Sequence, residues 1–434
     1  MHSPSRRDFA RLLALSGTAA LFPSSTTAGQ ETRPDRWGLN RAPLPPTPAA
    51  PDESFWREVR ARFLVPPDLA FLNAANLCPA SLPVVEALEK QTRLYEASPS
   101  PEVRAGLMKG REAARILLAE ALRVTPDEIV ITRNTSEGNN FVSSGLDLKA
   151  GDEVVVWADN HPTNLNAWRV KAARFGFTVV TVPTVTSHPG ADGFVSLFTK
   201  AFTSRTRLVA ITHVNSNSGD LLPVAAICRA ARERGVLSLV DGAQAFGVLD
   251  LDLGAIGADF YTGSMHKWPC GPKETGMLYV NRAVHERIHP SVVGVYAGEV
   301  GISRKLESTG QRDDVRIAAV GDALNFQSGI GRAAIERRSR SLAQALMAGL
   351  SKLDGVRLWT DPDPARSSSI VIFQPGSLDI RRLGAALTTK DRIICTTRPG
   401  PQAPGLRLSP HFYNTMEEME RTVGTIRQYL KTGV

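Results

Sequence analysis

Two stretches decide the reading: Val240-Asp241-Gly242-Ala243-Gln244-Ala245-Phe246 and, a short way on, Gly263-Ser264-Met265-His266-Lys267-Trp268. Each follows a run, 237–240 and 260–262, that is apolar along its length rather than alternating. Such runs read as strands covered on both faces. Working outward, runs of the same kind lie at 129–132, 153–157, 178–182, 208–212 and 277–280, with helix-like stretches such as 164–174 and 224–234 between most of them. The alternation predicts a doubly wound α/β sheet, with ligand chemistry in loops at the C-terminal ends of the strands.

Residues 54–124 contain helix-like segments, among them 82–95 and 103–122. Residues 313–353 read as long helices, and the tail gives strands near 369–373 and 405–408 with helices between and after. The expected organisation is a signal over 1–28, a Pro-rich linker over 29–53 and a helical segment over 54–124. A large domain over 125–290 follows, then connecting helices and a small C-terminal domain over 291–434.

The chain has 434 residues, 42% hydrophobic and 22% charged, which fits two or three folded lobes and excludes wholesale disorder. Its net charge of +8 includes +3 from the first 50 residues; the rest is spread without a basic block, so nucleic-acid binding is not indicated. Ser5-Arg6-Arg7-Asp8-Phe9 precedes an apolar stretch from residue 12 to 22, then Thr26-Thr27-Ala28. That pattern is a removable signal, and the paired arginines point to the twin-arginine export machinery. The apolar stretch is too short for a stable membrane span. The mature fold is expected to begin near Ser54, after the extended Pro-rich spacer 42–51. Cys78, Cys228, Cys270 and Cys395 show no C-x-x-C spacing and read as buried free thiols, with one disulfide left open. No cluster of Cys and His has the spacing of a zinc site.

Four loops after predicted strands carry unusual residues. Arg133-Asn134-Thr135-Ser136-Glu137-Gly138 opens a helix with small hydroxyl residues, which suits a phosphate, although the same residues serve equally as a plain helix cap. Asp159-Asn160-His161-Pro162 places a lone histidine at a strand end, where a structural role is the commoner one. Asp241, ending a buried apolar strand, is costly unless something cationic meets it. Lys267 lies among apolar and aromatic neighbours, where desolvation lowers its pKa. A depressed lysine beside a phosphate pocket and an acid is what imine chemistry with pyridoxal phosphate requires.

These motifs, followed by G-P-K-E-T-G-M-L-Y-V at 271–280, resemble the class V aminotransferase family of fold-type-I pyridoxal-phosphate enzymes, and its isopenicillin-N-epimerase-like branch in particular. The resemblance runs from F-L-N-A-A-N at 71–76 to the tail. It implies a large domain with a mixed, mostly parallel sheet flanked by helices, plus a smaller α+β C-terminal domain. It also implies that Lys267 carries the cofactor, Asp241 meets the ring nitrogen, Gln244 the phenolic oxygen, and His161 stacks on the ring. Thr135, Ser136, Ser264 and His266 match the phosphate cup, and Arg407 in L-R-L-S-P-H-F-Y-N-T matches the arginine for the substrate's α-carboxylate. Asn73 lies where the family lines the substrate pocket; as a plain turn residue it would cap backbone groups instead. Asn215, Ser216 and Asn217 fall in a stretch that faces the cofactor in the family, in a register left open.

The resemblance further implies a homodimer, with sites completed by the neighbouring subunit. E-S-T-G-Q-R-D-D at 307–314 departs from the branch by placing Gln311 where a threonine reaches the other subunit's phosphate. No cysteine stands between Thr396 and Arg407, where a desulfurase carries its mobile thiol, and Cys395 reads as strand. The expectation is an exported enzyme acting at the α-carbon of an amino acid or of an amino-acid unit in a larger molecule, such as a siderophore or peptide. The alternatives are a C–S lyase or desulfurase using a different thiol, and a catalytically silent binding protein.

Overall fold

The structure, a computed structural model, describes residues 44–400 and 403–434. The expected signal segment, with Arg6 and Arg7, and the linker up to residue 43 lie outside the described residues. Residues 44–52 form no helix or strand, but Leu44 packs on the core and the Thr47 hydroxyl donates to the Gly329 carbonyl. This part of the Pro-rich stretch therefore lies against the body and is not a free spacer. Among the described residues the first regular element is helix Glu53–Arg60, where the Asp52 side chain accepts from the Phe55 N–H.

A two-residue strand, β1 (Ala70–Phe71), precedes the main sheet. That sheet contains β2 (Ile129–Thr132), β3 (Glu153–Trp157), β4 (Thr178–Val182), β5 (Thr206–Thr212), β6 (Leu237–Asp241), β7 (Phe260–Ser264) and β8 (Gly276–Val280), in the order β2-β8-β7-β6-β5-β3-β4. Neighbours from β7 through β4 pair in parallel, and β8 runs antiparallel to both β2 and β7. As a result β2, β3, β5, β6 and β7 all end on one edge of the sheet, which brings the four singled-out loops together.

Successive residues of the central strands enter two different cores. Val155, Trp157, Val209, Ile211 and Val240 belong to one, and Val154, Val156, Leu208, Ala210 and Leu239 to the other. Two covered faces explain why these strands read as unbroken apolar runs. The expectation fails at β4, where Thr178 and Thr181 are exposed, because this strand is the sheet's edge. The long helical stretch predicted near 313–353 is three helices, Asp314–Ala318, Val320–Ile330 and Arg332–Leu350, the last two separated by Gly331 at φ 90°.

The C-terminal part adds β9 (Val356–Leu358), β10 (Val371–Pro375), β11 (Ile393–Ile394), β12 (Thr396–Arg398) and β13 (Gly405–Leu408). An antiparallel sheet in the order β12-β13-β10-β9 packs through Phe373, Leu406 and Leu408 on helices Arg332–Leu350 and Met416–Thr432. β1 pairs in parallel with β11, so the N-terminal segment is tied into this region. Among the described residues, no helix is long and apolar enough to cross a membrane and no acidic, His or Cys group could hold a metal ion.

Candidate active site

Ser264 is the last residue of β7, not a loop residue as its sequence context suggested. Its hydroxyl accepts from the Thr135 N–H at 2.9 Å and lies 2.8 Å from the Thr135 hydroxyl. Helix Thr135–Gly145 is capped by the Asn134 side chain, which accepts from the Glu137 N–H; Thr135 and Ser136 occupy its first turn and are not the cap. With Thr135 and Glu137 engaged, the Ser136 N–H has no protein partner among the described residues. A helix N-terminus with an open N–H and two hydroxyls beside it is a ready anion site.

Asp241 ends β6, 3% exposed. One carboxylate oxygen accepts from the Asn139 amide at 3.0 Å and the other from the Ala243 N–H at 3.1 Å, which fixes its plane. Asn139 in turn accepts from the Thr262 hydroxyl on β7 at 3.2 Å.

Lys267 follows in the turn after β7, and the next residue is pinned from three sides. The Trp268 indole N–H donates to Gln244 Oε1, while the Trp268 carbonyl accepts from Gln327 at 2.8 Å and pairs with His411 Nε2 at 2.6 Å. Burial pushes the Lys267 amine down to about 8; the Asp241 carboxylate resists this and the Arg407 guanidinium adds to it. His266, on the other side, is pushed down to about 4 by burial and by Lys267 and Lys273. Gln244 Nε2 donates to the Ala75 carbonyl at 2.9 Å and keeps its second N–H for another acceptor.

His161 caps helix Pro162–Phe175 and is part-exposed in the loop after β3. The Thr163 N–H donates to Nδ1, which puts the ring proton on Nε2. Burial lowers the His161 pKa, Asp241 opposes the fall, and Lys267 and Arg407 add to it, so the ring is neutral at neutral pH.

Arg407 on β13 stands opposite Thr396 of β12. It is 7% exposed, donates at 3.5 Å to the Ser216 carbonyl, and has a buried Nε with no partner. Burial and Arg398 push it down to about 10. Asn73 accepts from the Thr396 hydroxyl at 2.7 Å and bridges to Ser409, placing it beside the same strands.

The structure thus joins His161, Asp241, Lys267 and Arg407 in one electrostatic neighbourhood, with Thr135 and Ser264 hydrogen-bonded at its edge and Gln244 and Asn73 on its flank. Gln311 is not brought into it. That residue is exposed and lines a separate cavity of about 260 Å³ with Arg133, Glu137, Glu274, Thr309 and Arg312. The open register at 215–217 resolves into three different roles. Asn215 is 1% exposed with its amide nitrogen unpartnered, Ser216 offers its carbonyl to Arg407, and Asn217 accepts from Arg398. Asn139 and Arg398 were missed; for Arg398 the three-residue strand β12 is too short to give a readable period.

The residues present fit pyridoxal phosphate. The open Ser136 N–H beside two hydroxyls matches a phosphate, the buried Asn215 amide is an orphaned donor, and a buried carboxylate stands near a depressed lysine. Fold and site together define a pyridoxal-phosphate-dependent enzyme of fold type I.

The aminotransferase class-V family model matches residues 71–422. The isopenicillin N epimerase of Amycolatopsis lactamdurans is 31% identical over 394 residues, covering 87% of this chain and 99% of that protein. A probable cysteine desulfurase of Methanothermobacter thermautotrophicus is 28% identical over 390 residues, covering 84% and 96%. Among solved structures, a lysine-to-alanine mutant of C-DES with glycine covalently linked to its pyridoxal-phosphate cofactor superposes with a TM-score of 0.78 at 25% identity, covering 87% of this chain and 99% of that one. The chain belongs to the class-V aminotransferase family.

Proposed function

We propose that this enzyme acts at the α-carbon of an amino acid, or of an amino-acid unit of a larger molecule such as a siderophore or peptide, in epimerase-like, transamination or decarboxylation-type chemistry. The observation that carries the reading is Arg407, buried with an unpartnered Nε within electrostatic reach of Lys267 and His161. A buried guanidinium in want of an anion fits a substrate carboxylate in bidentate geometry. When bound, pyridoxal phosphate supplies an aldehyde for Lys267 and a ring that draws electrons from the carbon beside the substrate's amino group. Thr135, Ser136, Ser264 and His266 hold its phosphate, and Asp241, its plane fixed by Asn139 and Ala243, keeps the ring nitrogen protonated. His161, held neutral, covers the ring face. Lys267 Nζ, with a pKa of about 8, moves the proton at the α-carbon.

A desulfurase-like reaction needs a thiolate, and three of the four thiols argue against one. Burial pushes Cys228 and Cys395 up to about 12 and raises Cys270 as well. Cys395 sits in the extended chain between β11 and β12.

The working unit in this reading is a homodimer in which Gln311 reaches the partner subunit's phosphate. Exposed Val292, Val293, Val295 and Tyr296 support it, since Val292 lines the Gln311 cavity and Gly310 donates to the Val295 carbonyl. The same reading has the chain exported by the twin-arginine route, on the strength of Arg6 and Arg7.

The test is the absorbance of the purified holo-protein. Lys267→Ala should lose the covalently held cofactor, and amino acids or peptides with a free α-carboxylate should perturb the wild-type spectrum. Borohydride reduction that labels a different lysine, or a spectrum that no such compound perturbs, overturns the reading.

A further inference from the structure

Arg398 and Arg407 stand on one face of the small sheet. In the β12–β13 register Thr396 lies opposite Arg407 and Arg398 opposite Gly405. Arg398 is two residues from Thr396 on the same strand, so its side chain shares the face that carries Arg407, as a diagonal neighbour. The two guanidinium groups are close enough that Arg398 lowers the pKa of Arg407.

Neither is paired with a carboxylate. Arg398 donates through Nη2 to the Asn217 side-chain oxygen, and its Nε is buried without a partner, as is the Nε of Arg407. Among the described residues neither makes an ion pair, although surface arginines such as Arg205, Arg282 and Arg392 all do. Asp159 is the acid that Arg398 senses, but it is engaged by the Thr184 hydroxyl at 2.9 Å. Lys267, which senses Arg407, adds a third cation nearby, and His161 is neutral. Asn217, the residue that steadies Arg398, donates its own N–H to the Asn215 side chain, so the segment that meets one guanidinium with a carbonyl holds the other with an amide.

Two desolvated guanidinium groups side by side repel each other, and each leaves a fork edge open. One substrate carboxylate on Arg407 neutralises one of them and leaves the other without an ion-pair partner. We propose that Arg398 forms a second anion subsite, taking a carboxylate on the substrate's side chain while Arg407 takes the one beside the reacting carbon. The substrate class is then an amino acid, free or at the end of a larger molecule, bearing two carboxylates. This rests on the reading of Arg407 given above.

The experiment is a spectral titration of the holo-protein with aspartate, glutamate and 2-aminoadipate, each compared with an uncharged counterpart such as asparagine, glutamine or norvaline. Wild type should bind the best dicarboxylic member about 10-fold or more tightly than its uncharged counterpart. Arg398→Gln should bring that ratio close to one, with the loss falling on the dicarboxylic member, and Arg398→Lys should keep part of the preference. An equal loss for charged and uncharged amino acids in Arg398→Gln shows that Arg398 shares the single α-carboxylate or merely shapes the pocket, and overturns the proposal. So does a wild type without preference. A wild type whose spectrum no amino acid perturbs overturns the α-carboxylate reading of Arg407 and this proposal with it. If Arg398→Gln does not fold, competition in wild type between glutarate and butyrate decides, with glutarate expected to be at least several-fold tighter and equal affinity counting against.

Discussion

The pKa of Lys267 makes a prediction about how the enzyme acquires its cofactor. Burial brings the amine from 10.5 to about 8. At pH 7 about one Lys267 amine in ten is then neutral, against about one in three thousand for a lysine at its ordinary value, a gain of about 300-fold in nucleophile. The rate at which apo-protein takes up pyridoxal phosphate should therefore rise with pH to a midpoint near 8. Dividing each rate by that of N-acetyl-lysine at the same pH removes the cofactor's own ionisations.

The neighbouring charges give the prediction two opposite signs. Asp241 raises the Lys267 pKa, so Asp241→Asn should move the midpoint below 8. Arg407 lowers it, so Arg407→Gln should move the midpoint up, each by on the order of one unit for a charge at close range. Uptake is measured by stopped-flow absorbance across pH 6 to about 10, with the folded state of each variant checked by circular dichroism. A wild-type midpoint near that of free lysine, or two variants shifting in the same direction, refutes the reasoning.

Glu307 accepts from Arg115 and from the Ile131 N–H with both side chains essentially unexposed; Glu307→Gln should cost about 3 kcal/mol in urea unfolding, and a loss below about 1 kcal/mol would count against the buried pair. His213 and His411 are buried and pushed down to about 4 and about 3, so below about pH 6.5 the unfolded chain binds protons that the native one refuses. Stability should fall from there toward pH 4, by up to about 1.4 kcal/mol per unit for each histidine; a urea midpoint unchanged between pH 7.5 and pH 5 contradicts this. Replacing Arg6 and Arg7 together by Lys should leave an active, cofactor-loaded precursor in the cytoplasm, because the twin-arginine route carries folded proteins. Full export of that variant, read by fractionation with a cofactor absorbance assay, separates the signal from the route proposed for it.

The doubly wound sheet was legible because its central strands are buried on both faces, and burial leaves a mark in composition. Edge position leaves a weaker one: T-V-V-T-V at 178–182 looks like its neighbours, and only the threonines hint that one side is wet. The antiparallel course of β8 left no mark, since its residues meet the same two cores. Lys267 and Asp241 stood out because a charge ending an apolar run is costly, whereas Asn139 and Asn215 did not, because an asparagine near a helix or turn has many ordinary uses. Arg398 was hidden by the brevity of β12. Three residues give no period to read, and its shared face with Arg407 exists only once β13 is laid beside it.

The division of labour in the site follows from which sheet supplies which charge. Asp241 and Lys267 come from the ends of β6 and β7, whereas Arg398 and Arg407 come from the small sheet. Residues 70–78 link the two. β1 pairs with β11, the Ala74 N–H donates to the Ser409 carbonyl, the Ala75 carbonyl accepts from Gln244, and the Cys78 N–H donates to the His266 carbonyl at 2.8 Å. Nearly all of these are backbone contacts, so the spacing between the two halves depends little on which side chains face the cleft. Side chains on the small sheet can therefore be replaced without moving that sheet relative to Asp241 and Lys267.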